Sequence, residues 1–381
     1  MPSKSKRKAK HHSGRLVLLL AVFLIVVLLF VFSDSLRGAT LQRLVYLIGS
    51  GVSGTAETAD ISFEPSDSNQ FHLLKSGLAV LSNDSLTVFT MSGEVKNNTK
   101  LTYRTPTLSG TDSFLLAYDR GAADFLISNG SSVLSQEQAP APIINANINK
   151  NGAFSLITDG PDCKTLLSIY NPSMEVVYKL YATEQYILDA AVSNNNKDMA
   201  VLALSVSGGD FVGNISFYHL DEDAPYFTYP LSSCIPLSVQ YDKENQIRVL
   251  CEDRVLLFKK DGTVLTELSF AQNELLSYTF DSPRAIGLLL DNYSVGGHSS
   301  LTYLPRNETV PLRISFSEET LSVSASGNYI AVRCPTKIVV YNRKLELDRT
   351  YTIPSGIKEC IMREDGTVLA IGSNFASLLI S

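Results

Sequence analysis

The chain has 381 residues, of which 45% are hydrophobic and 18% charged, a globular composition with ample length for a large core. The formal net charge of −6 hides an asymmetry, because residues 1–15 contain six Lys or Arg and no acid, whereas the rest has 26 Lys and Arg against 38 Asp and Glu, a net charge of −12. Binding to nucleic acid needs clustered positive charge, so a body this acidic excludes nucleic acid as an expected partner.

An unbroken apolar run of 17 residues, Leu16 to Phe32, predicts a transmembrane signal anchor over residues 16–33. A membrane helix needs at least about 17 apolar residues, whereas the apolar part of a cleaved signal peptide has about 7–15. The sequence after Phe32 is also a poor cleavage site, which favours the uncleaved anchor over the signal peptide. A buried core helix would have a polar face, and this run has none.

The basic residues before the apolar run predict the orientation, because positively charged flanks stay in the cytoplasm. Residues 1–15 are then a cytoplasmic tail and residues 34–60 a stem that ends in a Gly- and Ser-rich linker. Residues 61–381 form the extracytoplasmic domain of a single-pass protein of the cell membrane. Membrane lipid is the expected partner of residues 16–33.

A unit of apolar strands and polar turns returns eight times after residue 71 and predicts an all-β fold, a β-propeller of eight four-stranded blades. The second strands of the units run from Leu78 to Val368, 290 residues in seven steps, or about 41 per step, which suits such blades. Turns such as Asn151-Gly152 supply the positive φ angles that tight hairpins need. Seven blades remain an alternative if one unit is misread, and a two-sheet sandwich fits the regular period less well.

The last unit ends too early to have a fourth strand, because the chain stops just after Ile380. An unassigned strand, Ile61-Ser62-Phe63, precedes the first unit. We therefore expect the N-terminal strand to complete the last blade and close the ring, which removes the open sheet edges.

Catalytic signatures are absent from the sequence: it has no Gly-x-Ser-x-Gly, phosphate loop or His-Glu-x-x-His motif. After the predicted membrane span only His72, His219 and His298 occur, at non-equivalent places in their units. We therefore predict no metal site and no cofactor, and a binding protein is favoured over an enzyme. The five cysteines show no disulfide framework, although the pair Cys234 and Cys251 stays open.

Acidic residues concentrate in the loops between second and third strands, which share one rim of a propeller with the connections between blades. Two of these loops are long and carry Gly pairs beside the aromatic residues Phe211 and Tyr293, a composition typical of mobile recognition loops. The alternative is that Asp is simply a good turn residue. The candidate binding residues are Asp119, Asp124, Asp159, Asp162, Asp210, Phe211, Asp253, Asp291, Tyr293 and His298.

The layout of tail, span and repeats, with segments such as Ser326-Gly327-Asn328-Tyr329-Ile330-Ala331-Val332, resembles a family of uncharacterised bacterial proteins, mainly Gram-positive, that is catalogued as a domain of unknown function. The resemblance implies a basic tail, one N-terminal membrane helix and a propeller-like exterior. It transfers no catalytic residue, because the family has none assigned.

Two functions are compatible with these features. The first is a non-catalytic binding or scaffolding module, a WD40-like propeller at the cell envelope, with a protein or another envelope component as its ligand. The second is a lactonase-like hydrolase that holds a divalent cation with carboxylates in the central channel. The first is favoured, and neither names the ligand.

Overall fold

The structure is a computed structural model that describes residues 60–231, 234–280, 285–292, 298–305, 308 and 310–380. The predicted tail and membrane span, and all of the predicted stem except Asp60, lie outside these residues. Within the described part no helix is long and apolar enough to cross a membrane.

All regular secondary structure in the described residues is β, and the strands form eight four-stranded antiparallel sheets, the blades of a propeller. Blades 1 to 3 comprise β2 (Gln70–Leu74), β3 (Gly77–Leu81), β4 (Ser85–Phe89) and β5 (Val95–Lys100); β6 (Pro106–Gly110), β7 (Leu115–Asp119), β8 (Asp124–Ser128) and β9 (Val133–Gln138); and β10 (Ile143–Ile148), β11 (Phe154–Asp159), β12 (Thr165–Tyr170) and β13 (Val176–Ala182). Blades 4 to 6 comprise β14 (Tyr186–Val192), β15 (Asp198–Ser207), β16 (Asp210–His219) and β17 (Phe227–Leu231); β18 (Pro236–Tyr241), β19 (Ile247–Cys251), β20 (Arg254–Phe258) and β21 (Val264–Ser269); and β22 (Glu274–Thr279), β23 (Ala285–Asn292), β24 (His298–Pro305) and β25 (Leu312–Ser315). Blades 7 and 8 comprise β26 (Ser322–Ser326), β27 (Tyr329–Arg333), β28 (Lys337–Asn342) and β29 (Leu347–Thr352); and β30 (Glu359–Met362), β31 (Val368–Ile371), β32 (Phe375–Leu379) and β1 (Ile61–Ser62). The blade count is therefore eight, and the seven-blade alternative is wrong.

The apolar runs that defined the repeat are the second strands of the eight blades. These strands lie inside their sheets with a neighbouring blade on each face, so they carry apolar side chains on both faces. All five residues of β3 are buried, for example, whereas the outermost strand β5 alternates between exposed and half-buried residues. The run of apolar residues thus marks the position of a strand within its blade.

Buried apolar residues form eight clusters, and each cluster joins two consecutive blades. The cluster that closes the ring combines Leu369 and Ile371 of blade 8 with Leu78 and Val80 of blade 1. Burial of this kind stabilises the fold by about 25 cal/mol for each Å² of apolar surface removed from water. Each junction between two blades therefore contains its own part of the hydrophobic core.

The N-terminal strand closes the ring as the sequence predicts. Strand β1 pairs antiparallel with β32, with Ile61 opposite Ala376 and Ser62 opposite Phe375. The Phe63 N–H donates to the Asn374 carbonyl at 3.0 Å, and Ile61 is buried in the cluster between blades 8 and 1. The prediction that the first strand supplies the missing fourth strand of the last blade is confirmed.

Strand direction alternates within each blade, so the loops between second and third strands lie at the same rim as the connections between blades. We call this the connection rim. The first strands of neighbouring blades lie side by side and exchange hydrogen bonds, as when Leu108 N–H donates to the Gln70 side chain at 2.8 Å. They therefore form the inside of the ring.

All five cysteines are free thiols, four of them buried. The pair left open by the sequence, Cys234 and Cys251, lies at the junction of blades 4 and 5. A hydrogen bond between the two thiols lowers the pKa of Cys234 and raises that of Cys251.

Candidate binding surface

The topology brings the acidic candidates to the connection rim, because each lies at or beside the end of a second strand or the start of a third. Asp119 and Asp159 end β7 and β11, Asp124 and Asp210 begin β8 and β16, and Asp253 lies between β19 and β20. With Asp162 of blade 3 and Asp291 of blade 6, the acidic candidates belong to blades 2 to 6, so they are spread around the ring rather than gathered at one point. Their role in binding stays a prediction.

Asp119 does not contribute an exposed carboxylate to this rim. It is 3% exposed, and one carboxylate oxygen accepts hydrogen bonds from the backbone N–H groups of Arg104 and Thr105 at 3.0 and 2.6 Å. These two residues belong to the connection between blades 1 and 2. The side chain therefore secures that connection, which is the structural alternative that the sequence left open for each Asp.

Two more candidates are engaged by neighbouring side chains. Asp253 forms an ion pair with Arg254 at 2.8 Å, and Arg254 also reaches Glu267 at 2.9 Å. Asp124 accepts a hydrogen bond from the Gln138 amide at 3.0 Å. The partly exposed ion pair contributes little stability but offsets the charge of Asp253, whereas the neutral Gln138 amide occupies one acceptor oxygen of Asp124 and leaves its charge.

The exposed carboxylates of the candidate set are those of Asp159, Asp162 and Asp210, on the adjacent blades 3 and 4. Asp291 in blade 6 is half-buried. Tyr293 and the side chain of His298 lie outside the described residues. Within the candidate set, the solvent-facing acidic charge therefore lies on blades 3 and 4.

A projecting two-stranded arm extends from blade 4 and includes Asp210, one of these carboxylates. Strands β15 and β16 have ten residues each, compared with four to eight for second and third strands in the other blades. Their pairing continues as Ser205 with Val212, Val206 with Phe211 and Ser207 with Asp210, beyond the last residues that pair with β14 and β17. We call residues 205–212 the β-arm.

The β-arm is a paired hairpin at the position where the sequence predicts a mobile loop. Its turn is Gly208-Gly209, with φ of +64° and +95°, and positive φ at both central residues is the geometry of the two-residue hairpins that follow the strand twist. At its base Gly213 lies against the next connection, where an added Cβ would come within 3.0 Å of the Pro236 side chain. Paired strands and a close-packed base hold the arm in place.

Apolar side chains cover much of the β-arm. Val206 is 65% exposed and Phe211 57%, and the two lie directly opposite each other on the face that continues the apolar row toward blade 5. Val212 is 38% exposed on the other face. Exposed apolar residues scattered singly are ordinary on a protein surface, whereas a cross-strand pair on a projecting arm that also carries the exposed Asp210 is a candidate contact surface.

A buried polar network inside the ring was not anticipated from the sequence. Each first strand of blades 3 to 6 has a β-bulge, and the residue after the bulge is Asn145, Asp189, Ser238 or Ser277. These four polar residues occupy the same position in their strands, among mostly apolar neighbours, and this recurrence in the sequence could have revealed the network. A bulge re-aims side chains locally, and here it turns polar groups toward the neighbouring first strand.

Asp189 is the centre of this network and is 3% exposed. One of its oxygens accepts hydrogen bonds from the side chains of Asn145 and Asn147 in blade 3, and the other accepts the Val239 N–H of blade 5 at 2.8 Å. Burial raises the pKa of Asp189 to about 7, against the opposing effect of these donors. The carboxyl group therefore links three blades from inside the ring.

The described residues contain no group of three or more His, Cys, Asp and Glu side chains that could hold a metal ion. The hydrolase that would use a carboxylate-bound cation stays a prediction.

The comparison with protein families decides the family of this chain. A family model described as a family of unknown function, DUF5711, matches residues 53–375. The chain belongs to the DUF5711 family. No curated protein matches it. The match spans the whole described propeller apart from its last residues, so the architecture above is that of a DUF5711 member.

Solved structures similar to this DUF5711 protein are β-propellers of low sequence identity. BamB from Moraxella catarrhalis is 12% identical with a TM-score of 0.53, and the match covers 84% of this chain and 99% of BamB. The C-terminal WD40 domain of Sif2 is 12% identical with a TM-score of 0.59, covering 85% and 98%. Chaetomium thermophilum Sqt1, bound to the N-terminus of the ribosomal protein L10, is 11% identical with a TM-score of 0.55, covering 85% and 100%. At such identities the likeness shows the fold alone.

Proposed function

We propose that this DUF5711 protein is a non-catalytic binding module, anchored in the cell membrane by residues 16–33, whose propeller captures a protein outside the cell. The exposed Val206 and Phe211 pair on the β-arm is the observation that carries the proposal. Aromatic side chains with exposed apolar neighbours often dominate the energy of protein interfaces. The similar Sqt1 structure holds the N-terminus of another protein, which supports a peptide segment as the ligand.

The charge around the β-arm favours a ligand of basic and apolar character. Asp210 lies in the arm itself, and Asp159 and Asp162 belong to the neighbouring blade. Exposed charges of one sign speed the approach of a partner of opposite sign and add little to final affinity. We therefore assign affinity to the apolar pair and attraction to the carboxylates.

Site-specific photo-crosslinking in producing cells tests this function. A photoreactive residue in place of Phe211 should yield a discrete crosslinked protein that mass spectrometry identifies, because the side chain projects into the proposed interface. Phe211→Ala should then weaken binding of that protein by roughly 30-fold, the equivalent of a hot-spot residue. The melting temperature should stay the same, because Phe211 is solvent-exposed.

Tyr181 is the matched control, with 58% exposure on the outermost strand of blade 3. A photoreactive residue there should give no such product, and Tyr181→Ala should leave binding unchanged. If both positions crosslink the same proteins, or if Phe211 crosslinks none, the β-arm is not the contact surface.

A further inference from the structure

A cavity of about 220 Å³ lies between blades 5 and 6, on the face of blade 6 that looks toward blade 5. Two rows of residues across three strands form its floor. One row is Leu288, Thr302 and Arg313, and the other is Leu290, Ser300 and Ser315. Leu268 and Phe270 of blade 5 and its following connection form the opposite wall.

Small polar residues on the third strand of blade 6 explain why the cavity exists. In blade 5 the third-strand partners of Val249 and Ile247 are Leu256 and Phe258, and these large side chains fill the junction with blade 4. The register of the bulge residues Ser238 and Ser277 makes Leu288 of blade 6 the counterpart of Val249, and the third-strand partner of Leu288 is the smaller Thr302. Leu290, two residues further along the same strand, faces Ser300. Interiors are normally packed without voids larger than a water molecule, so a space of this size at a core junction marks a candidate ligand site.

Arg313 is the one charged residue among those that line the cavity. It is exposed, and within the described part of the chain its guanidinium has no hydrogen-bond or ion-pair partner. The hydroxyl groups of Thr302 and Ser315 lie in the same two rows and add donors, while Leu288 and Leu290 present an apolar surface. The cavity therefore combines the Arg313 guanidinium, which has no partner among the described residues, with an apolar floor.

We propose that this cavity binds a small organic carboxylate with a short apolar body. A guanidinium matches one carboxylate with two parallel hydrogen bonds, whereas a dianionic phosphate group would keep an unpaired charge here. At roughly 30 Å³ for each water-sized group, the volume suits about seven or eight non-hydrogen atoms. The site lies on other blades than the β-arm and is independent of the function proposed for that arm.

Titration of the full-length chain with hexanoate, followed by ligand-observed NMR, tests the site. Hexanamide is the uncharged analogue, and inorganic phosphate is an anion without an apolar body. We expect saturable hexanoate binding that is at least about ten times tighter than binding of hexanamide or phosphate, because only hexanoate satisfies both the guanidinium and the leucines. Equal binding of hexanoate and hexanamide, tighter binding of phosphate, or no hexanoate binding would overturn the proposal.

Three variants locate the binding. Arg313→Gln should weaken hexanoate binding by roughly 10- to 100-fold and leave hexanamide binding unchanged, since a hydrogen bond to a charged group is lost. Ser300→Leu should abolish binding of both and keep or raise the melting temperature, because it fills the cavity with apolar atoms. Arg104→Gln, an exposed Arg in the connection between blades 1 and 2, should change neither. Unchanged hexanoate binding in Arg313→Gln or Ser300→Leu refutes the assignment.

Discussion

Asp119 and Asp159 each end the second strand of their blade, yet they meet different surroundings. Asp119 lies beneath the connection between blades 1 and 2, whose residues Leu101 and Tyr103 are buried, and it accepts two backbone N–H groups from that connection. Asp159 is exposed. Residue type and position in the repeat are the same for both, so the path of the preceding connection separates a structural carboxylate from an available one.

Asp189 should give the stability of the protein a distinct pH dependence. Because burial raises its pKa from 3.8 to about 7, the folded protein holds this proton more tightly than the unfolded chain does. The contribution is fully present below about pH 4, declines between about pH 4 and 7 by up to about 1.4 kcal/mol per pH unit, and is lost above pH 7. The variant Asp189→Asn removes this dependence, so its free energy of unfolding should decrease less over that range than the parent's.

Urea denaturation at pH 4, 5.5 and 7, followed by circular dichroism, measures the effect. The control is Asp159→Asn, which changes an exposed carboxylate. Its free energy of unfolding should change with pH as the parent's does. If the free energy of unfolding changed equally with pH in the parent and in Asp189→Asn, Asp189 would not titrate between pH 4 and 7.

At the scale of elements, turn chemistry lets a glycine-rich stretch form a paired hairpin. The Gly208-Gly209 turn allows β15 and β16 to stay paired to their ends, so the β-arm presents Val206 and Phe211 in a fixed arrangement. A preorganised arm loses less conformational entropy on binding than a mobile loop would. This favours the arm as an interface element.

The short strand β1 contributes more to the stability of the fold than its length of two residues suggests. Ile61 is 1% exposed and packs with residues of blades 8 and 1. We expect Ile61→Ala to lower the free energy of unfolding by about 2–5 kcal/mol, because it leaves a cavity at the junction that closes the ring. Val95→Ala, on the outermost strand of blade 1 with 59% exposure, should change it by less than about 0.5 kcal/mol. Chemical denaturation of the two variants measures the difference.

Deletion of residues 61–65 extends this prediction to assembly. It would leave β32 as an open edge, and open edges pair with other chains. We expect lower stability and self-association in light scattering. A deletion variant that melts like the parent and stays monomeric would contradict the role of β1 as the closing strand.

At the scale of the whole molecule, the ring has eight junctions of similar kind, and each junction can carry its own surface feature. Seven of them join blades that are neighbours in the sequence, and the eighth joins the two ends of the domain. The β-arm belongs to blade 4, the buried Asp189 network to blades 3 to 5, and the cavity to the junction of blades 5 and 6. A regular scaffold thus supports several irregular sites.

The orientation of the whole chain gives a prediction from charge alone. Six basic residues precede the apolar run, so we expect the tail to be cytoplasmic and the propeller to lie outside. Protease added to intact cells should remove the propeller and spare an epitope tag placed at the N-terminus. Immunoblotting before and after the cells are opened distinguishes the two ends. A protected propeller with a cleaved tag would reverse the proposed topology.

The blade count, the eight second strands and the closing strand were predictable from the sequence, because they depend on local features. Apolar runs, turn residues such as Asn151-Gly152 and a spacing of about 41 residues recur within each unit. The ends of the domain then had to pair for the ring to have no open edge. The acidic character of one rim followed from the same counting, because alternating strand direction sends equivalent loops to one side.

Only the tertiary structure decided which of those acids are available and where the buried polar groups and the cavity lie. The burial of Asp119 and Asp189, and the space beside Ser300 and Thr302, depend on chain segments from a neighbouring blade. The repeat indicates where a strand lies within its blade. The side chains that pack against that strand belong to the neighbouring blade, about 40 residues away along the sequence. Burial and hydrogen bonding are properties of both partners, so neither could be read from one unit alone.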